Sequence, residues 1–155
     1  MINSQPFSPL VIDARFAIRA VLPAGTGIEL EYFENWLQNR TPLFTPDLCM
    51  AEAVSAIRRM VFHRLISLNE GQQAIQDLFS LRLQIVSSDL ALYLSAFQWA
   101  EQLGESNAYD SLYLALAEKI SNETGQTVEV WTADARLANR ANQIGAGWVR
   151  TISPN

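Results

Sequence analysis

Apolar residues along the chain fall into two alternating rhythms. Short, mostly apolar runs, Pro9 to Asp13, Leu43 to Thr45, Leu83 to Val86, Val128 to Trp131 and Trp148 to Ile152, read as strands. Between them lie longer stretches in which apolar positions recur every three or four residues, the mark of helices with one apolar face. These predict helices over Ala14–Leu22, Ile28–Asn39, Pro46-Asp47 to about Leu65, Leu68 to about Phe79, Asp89–Leu103, a stretch from Tyr109 through Ile120, and Ala135–Ile144.

Punctuation sharpens several boundaries. Pro23-Ala24-Gly25 breaks the first helix. Ser67 and Glu70 stand at capping-box spacing. Ser87 or Ser88 is expected to cap the helix that Gly104 ends, with Leu90, Leu94, Phe97 and Ala100 facing inward. Asn107 is expected to cap the next, while Glu29, Glu31 and Glu34 are expected on a solvated face. Short strands alternating with longer helices predict an α/β fold, a mainly parallel sheet of about four to five strands covered by helices on both faces.

Composition narrows the class without naming a function. A chain of 155 residues is one domain by prior, 1–155, with room for one core. Its hydrophobic share of 49% and charged share of 17% are those of a globular protein, and no apolar run approaches the roughly 20 residues of a membrane span. The opening MINSQPFSPLVID lacks a secretory pattern, so cytoplasm is the default compartment. The one cysteine, Cys49, excludes an internal disulfide and reads as a small core residue. Trp36, Trp99, Trp131 and Trp148 read as core or dimer-contact residues, and His63 as a surface or cap residue. No glycine-rich dinucleotide fingerprint or phosphate loop follows any strand.

Four acids carry the chemistry. Two strands end in an aspartate, Asp13 after Leu-Val-Ile and Asp134 after Val-Trp-Thr-Ala, and sites in open α/β sheets form at the carboxyl ends of strands. Asp110 lies in a helix's first turn yet shares a stripe with Leu114 and Ala117; Glu52 shares one with Leu48, Ala56 and Arg59. Singly, each has a structural explanation as a cap or ion-pair partner. If the fold brings them together, like charges that close need compensation, and an all-oxygen set suits Mg²⁺ or Mn²⁺ rather than zinc. That predicts metal-dependent phosphodiester hydrolysis.

The net charge of −5 speaks against a nucleic-acid partner, but setting aside the four acids leaves −1. Ten arginines stand against a single lysine, Lys119, and arginine forks onto phosphate oxygens. Arg15, Arg59 and Arg136 lie near the acids and are candidates for phosphate contacts or, equally, for ion pairs with those same acids.

In order, LVID, PDLCMAEAVSAIRR, AYDSLYLALAE and VWTADARL resemble the PIN-domain family of nucleases, and within it the VapC-type toxins of bacterial toxin-antitoxin pairs. The similarity spans about Leu10 to Ile152. It implies that Asp13, Glu52, Asp110 and Asp134 form the family's acidic metal site, with Thr132 as the hydroxyl before the last acid. It also implies endoribonuclease activity with Mg²⁺ or Mn²⁺, a homodimer, and a small antitoxin partner. The chain departs from the family where a small hydroxyl residue often follows the first aspartate; here Ala14 and Arg15 follow. Ser111 stands where alanine is expected and could add a hydrogen bond.

Two other classes stay open. One is a regulatory or scaffold domain whose acids bind a metal or partner and cut nothing; the other is a PIN-like nuclease acting on DNA. A phosphoacceptor receiver ranks low, since Lys119 lies in mid-helix rather than at a strand end.

Overall fold

The computed structural model describes residues 7–23 and 27–152. Five strands, β1 (Leu10–Ile12), β2 (Leu43–Pro46), β3 (Gln84–Val86), β4 (Glu129–Thr132) and β5 (Val149–Thr151), form one sheet in the order β3-β2-β1-β4-β5. Every pairing is parallel. Seven helices flank it among the described residues: α1 (Ala14–Val21), α2 (Ile28–Gln38), α3 (Leu48–Phe62), α4 (Leu68–Ser80), α5 (Leu90–Leu103), α6 (Tyr109–Thr124) and α7 (Ala135–Gln143). The α/β fold read from the hydrophobic rhythm is the one observed. Ala24 and Gly25 of the expected helix break, and residues 1–6 of the opening segment, lie outside the described residues. Among those described, no helix is long and apolar enough to cross a membrane.

The strand order positions the site. From β1 the chain steps outward through β2 and β3, then returns to β1's other side as β4. A crevice opens beyond the carboxyl ends of strands where the order reverses, here between β1 and β4. Ile12 pairs with Trp131, and the Asp13 N–H donates to the Trp131 carbonyl at 3.1 Å, so Asp13 emerges beside Thr132, two residues short of Asp134.

Two packing features hold that edge. Ser111 through Ala117 of α6 are all buried, and the helix touches β1, β2, β4 and α5. A helix buried all round is one sandwiched between layers, and this fixes the depth at which Asp110 and Tyr113 sit. On α1, Phe16 is fully buried against Phe33, Trp36 and Trp131, with ring centroids 5.6–6.0 Å apart, and Tyr32 closes the cluster against Trp131 at 5.1 Å. Cys49 is buried, and burial pushes its thiol up to about 11. Trp36 belongs to the core, whereas Trp99 packs edge-on against Trp148 at 5.6 Å.

Several local expectations are corrected. On α5 the inward residues are Leu92, Ala96, Ala100 and Leu103; Leu90, Leu94 and Phe97 face outward. Its N-cap is Asp89, whose side chain accepts from the Leu92 N–H, while Ser88 instead donates its hydroxyl to Asp47 at 2.7 Å. α6 is capped at Ala108; Asn107 accepts the Tyr109 N–H at 3.2 Å from one residue earlier. Glu29 is buried and paired with Arg19 rather than solvated. The Ser67–Glu70 capping box forms as read.

The phase of α5 is directly testable. Leu92 is 3% exposed and Leu94 is 55% exposed on the same helix. L92A should cost roughly 2–5 kcal/mol of unfolding free energy, whereas L94A should stay within about 0.5 kcal/mol in urea melts of dilute protein. The reverse ranking would contradict the orientation of α5.

Candidate functional site

Asp13 is the most buried of the four acids, at 3% exposure. It follows β1 directly and serves as the N-cap of α1, its Oδ1 accepting the Phe16 N–H at 2.8 Å. Burial pushes its pKa up to about 7, against the lowering effect of the Thr132 hydroxyl, the Phe16 N–H and the Arg15 charge. Thr132, fully buried at the end of β4, also accepts the Asp134 N–H at 2.9 Å, so one hydroxyl meets the Asp13 carboxyl and the backbone of Asp134. Asp134 caps α7 by accepting the Arg136 and Leu137 N–H groups at 3.0 and 3.3 Å.

Glu52 and Asp110 come from the helices beside this edge. Half-buried on α3, Glu52 accepts a 2.6 Å hydrogen bond from the Tyr113 hydroxyl of α6. Its carboxyl is raised, chiefly by burial and further by the Asp110 charge. Asp110, in the first turn of α6, is raised chiefly by burial too, with Asp134 and Glu105 adding repulsion and Arg15 opposing it. The acids therefore share one electrostatic neighbourhood with Asp110 as its hub, coupled to Asp13, Glu52 and Asp134.

Arg15 lies within that neighbourhood. Its Nη1 donates to Asp134 Oδ2, and its charge acts on Asp13, Asp110 and Glu52 as well. Burial alone would lower its pKa, but the attraction of Asp110, Asp134 and Asp13 raises it. Of the other candidates, Arg59 lines a cleft of about 510 Å³ with Arg15, Glu52, Ser55 and Tyr109. Arg136 is exposed at the start of α7. Ser111 is fully buried and its Oγ has no hydrogen-bond partner, so the bond its hydroxyl could have added is not made. His63 caps the end of α3, exposed, as expected.

Does this acid set fit a divalent cation? Its donors are all oxygens, the type Mg²⁺ and Mn²⁺ take. It is short of positive charge, and one guanidinium already stands in as a cation among the acids. Chemistry and charge therefore fit. Among the described residues, however, no three such side chains are arranged to hold a metal as they stand. The Tyr113–Glu52 bond was missed by sequence reasoning. Tyr113 falls on the apolar stripe of its helix, and nothing in that pattern announces a hydroxyl aimed at a residue 61 positions away.

The Asp13 shift has a signed consequence. In the fold Asp13 keeps its proton up to about pH 7, whereas the unfolded chain releases it near 3.8. The folded state thus binds more protons between those values, and this group's contribution to stability falls as pH rises through them. D13N, neutral throughout and still able to cap α1, should melt several degrees above the natural chain at about pH 8 in EDTA, and the gap should close toward about pH 4. A gap independent of pH would refute the buried-charge account.

Comparison with known proteins bears on this arrangement. The PIN domain family profile matches residues 10–143. No curated protein sequence matches the chain. Among solved structures, VapC20 of Mycobacterium tuberculosis, described as a sarcin-ricin loop cleaving toxin, superposes with a TM-score of 0.60 at 13% identity, over 94% of this chain and 99% of that one. DNA-bound VapBC from Salmonella typhimurium gives 0.59 at 14%, over 94% and 98%. FitAcB from Neisseria gonorrhoeae gives 0.57 at 17%, over 94% and 97%. At such identities the likeness is one of fold, and with the family match over most of the chain it is conclusive on one point: the chain belongs to the PIN domain family.

Proposed function

We propose that this chain is a metal-dependent endoribonuclease, the toxin of a toxin-antitoxin pair. The observation that carries the reading is the joining of Asp13 and Asp134 by Thr132 at the β1/β4 reversal, with Asp110 and Glu52 coupled to them from α6 and α3. Membership of the PIN domain family, and a solved relative described as a toxin that cleaves the sarcin-ricin loop, support RNA hydrolysis.

In this reading Asp13, Glu52, Asp110 and Asp134 hold Mg²⁺ or Mn²⁺. A bound divalent ion supplies Lewis-acid stabilisation of the charge developing on a phosphodiester and activates the attacking water. The chain's own residues do the positioning. Thr132 fixes the spacing of two acids, and Tyr113 orients Glu52 through its hydroxyl. Ser111, the residue after Asp110, is buried with an unused hydroxyl and is assigned as a supporting group of the site. Arg59 and Arg136 contact RNA phosphates flanking the cleaved bond, and Arg15 faces the same cleft as Arg59.

Partners follow from the exposed apolar surface. Leu90, Leu94 and Phe97 on α5 are 55–73% exposed, as are Phe62, Leu65 and Leu68, at 61–70%, around the turn from α3 to α4. Apolar area of that kind is characteristic of protein interfaces. We assign it to a homodimer contact and to a small antitoxin; the solved VapBC and FitAcB structures support the antitoxin.

Incubating the chain with RNA and single-stranded DNA oligonucleotides, in Mn²⁺ and in EDTA, tests the reading. RNA should be cut in Mn²⁺ only. D110N should cut at least roughly 10–100-fold more slowly, the loss typical of disturbing even outer partners of a metal, and Y113F should weaken Mn²⁺ binding with a smaller loss of rate. Cleavage indifferent to EDTA and to D110N would end the metal mechanism. Saturable Mn²⁺ binding without turnover on either substrate would favour a regulatory acidic domain, and cleavage of DNA alone would favour the DNA nuclease.

A further inference from the structure

We propose that Arg15 is a built-in counter-ion that competes with the divalent cation, so that metal loading requires its guanidinium to leave the acids. This rests on the metal reading above and adds a control on it that belongs to this chain.

Three observations carry it. First, Arg15 is ion-paired with Asp134 and acts electrostatically on Asp13, Asp110 and Glu52, so a single side chain serves all four proposed ligands. Secondly, Asp134 already gives Oδ1 to the Arg136 and Leu137 N–H groups as the cap of α7, so Oδ2 is the oxygen left for a cation. Arg15 Nη1 holds that remaining oxygen, Oδ2, in a charge-assisted contact that a cation would have to share or displace. Thirdly, the Arg15 side chain is 53% exposed and borders the cleft of about 510 Å³ lined by Ala51, Ser55, Arg59 and Tyr109. It has room to leave, and half-exposed ion pairs separate at modest cost.

Competition follows from charge. A guanidinium and a divalent cation repel one another at short range, and both stabilise the same ionised acids. The metal-free protein is stabilised by Arg15, and the metal affinity is reduced by the work of displacing it. The relation is reciprocal: whatever draws Arg15 into the cleft tightens the metal. A chain carrying a short neutral residue at this position has no such brake. Arg15 lies two positions after the first acid, in the segment where the sequence departs from the family pattern.

The test is Mn²⁺ binding by isothermal titration calorimetry on the full chain, with R15A, R15Q and R15K beside the natural sequence and thermal melts in EDTA as a check on folding. R15A and R15Q should bind Mn²⁺ about tenfold more tightly, the factor represented by one charge-assisted bond of about 1.4 kcal/mol. Both should melt at a lower temperature in EDTA and gain more from added Mn²⁺. R15K, which keeps the charge on a narrower head group, should fall between. A merely structural role for Arg15 cannot produce this result, because a damaged site binds metal more weakly. Unchanged or weaker Mn²⁺ affinity in R15A and R15Q would overturn the proposal and leave the metal reading standing. Absence of Mn²⁺ binding in every variant would overturn both.

Discussion

One buried carboxylate sets the terms for the rest of the molecule. Asp13 leaves the central strand at the point where the sheet's order reverses, with almost no contact with water. An ionised carboxylate there is tolerable only if surrounding groups replace the hydration it has lost. The Phe16 N–H, the Thr132 hydroxyl and the charge of Arg15 do so in part, and the pKa still stands near neutrality. The deficit is a demand for positive charge in a fixed place. Asp110 and Glu52, both raised mainly by burial, enlarge it.

That demand explains why the surrounding scaffold is rigid. Phe16 both donates its backbone N–H to Asp13 and anchors the aromatic cluster through its ring, so the core and the acid share a residue. α6 is buried all round through the turns that follow Asp110, and its Tyr113 holds Glu52 from across the site. Such contacts hold the acids in fixed positions, as the proposed metal site would require. Arg15, by contrast, is half exposed and carries the compensation on a flexible stem. A rigid set of acids served by a movable cation is the arrangement that lets one positive charge be exchanged for another.

Legibility in the sequence divides along the same line. Strands, helices and the carboxyl-end acids were readable because each depends on local spacing: a three-residue apolar run before Asp13, a capping box at Ser67, a left-handed glycine ending α5. The phase of α5 was misread because the helix is apolar on two sides; Leu90, Leu94 and Phe97 recur at helical spacing as regularly as Leu92, Ala96 and Ala100 do. Periodicity identifies a face and does not say whether the core or a partner covers it. Glu29 was misread for the converse reason, since its partner Arg19 lies on another helix. Contacts such as Tyr113 with Glu52 and Arg15 with Asp134 span 61 and 119 residues, and only the closed fold reveals them.

The acidity of the chain, which first weighed against a nucleic-acid partner, reads differently once the charges are located. Four of its acids are electrostatically coupled through Asp110, and outside them the net charge is only −1. Two of its arginines, Arg15 and Arg59, border the cleft that Glu52 lines. A polyanion approaching the metal-free site meets carboxylates that repel it and an Arg15 already engaged by them. In the proposed reading, a divalent cation would reverse both terms, cancelling two negative charges and releasing a guanidinium toward the incoming phosphate. Net charge is therefore a poor guide to the ligand here; what matters is which cation holds the acids when the ligand arrives.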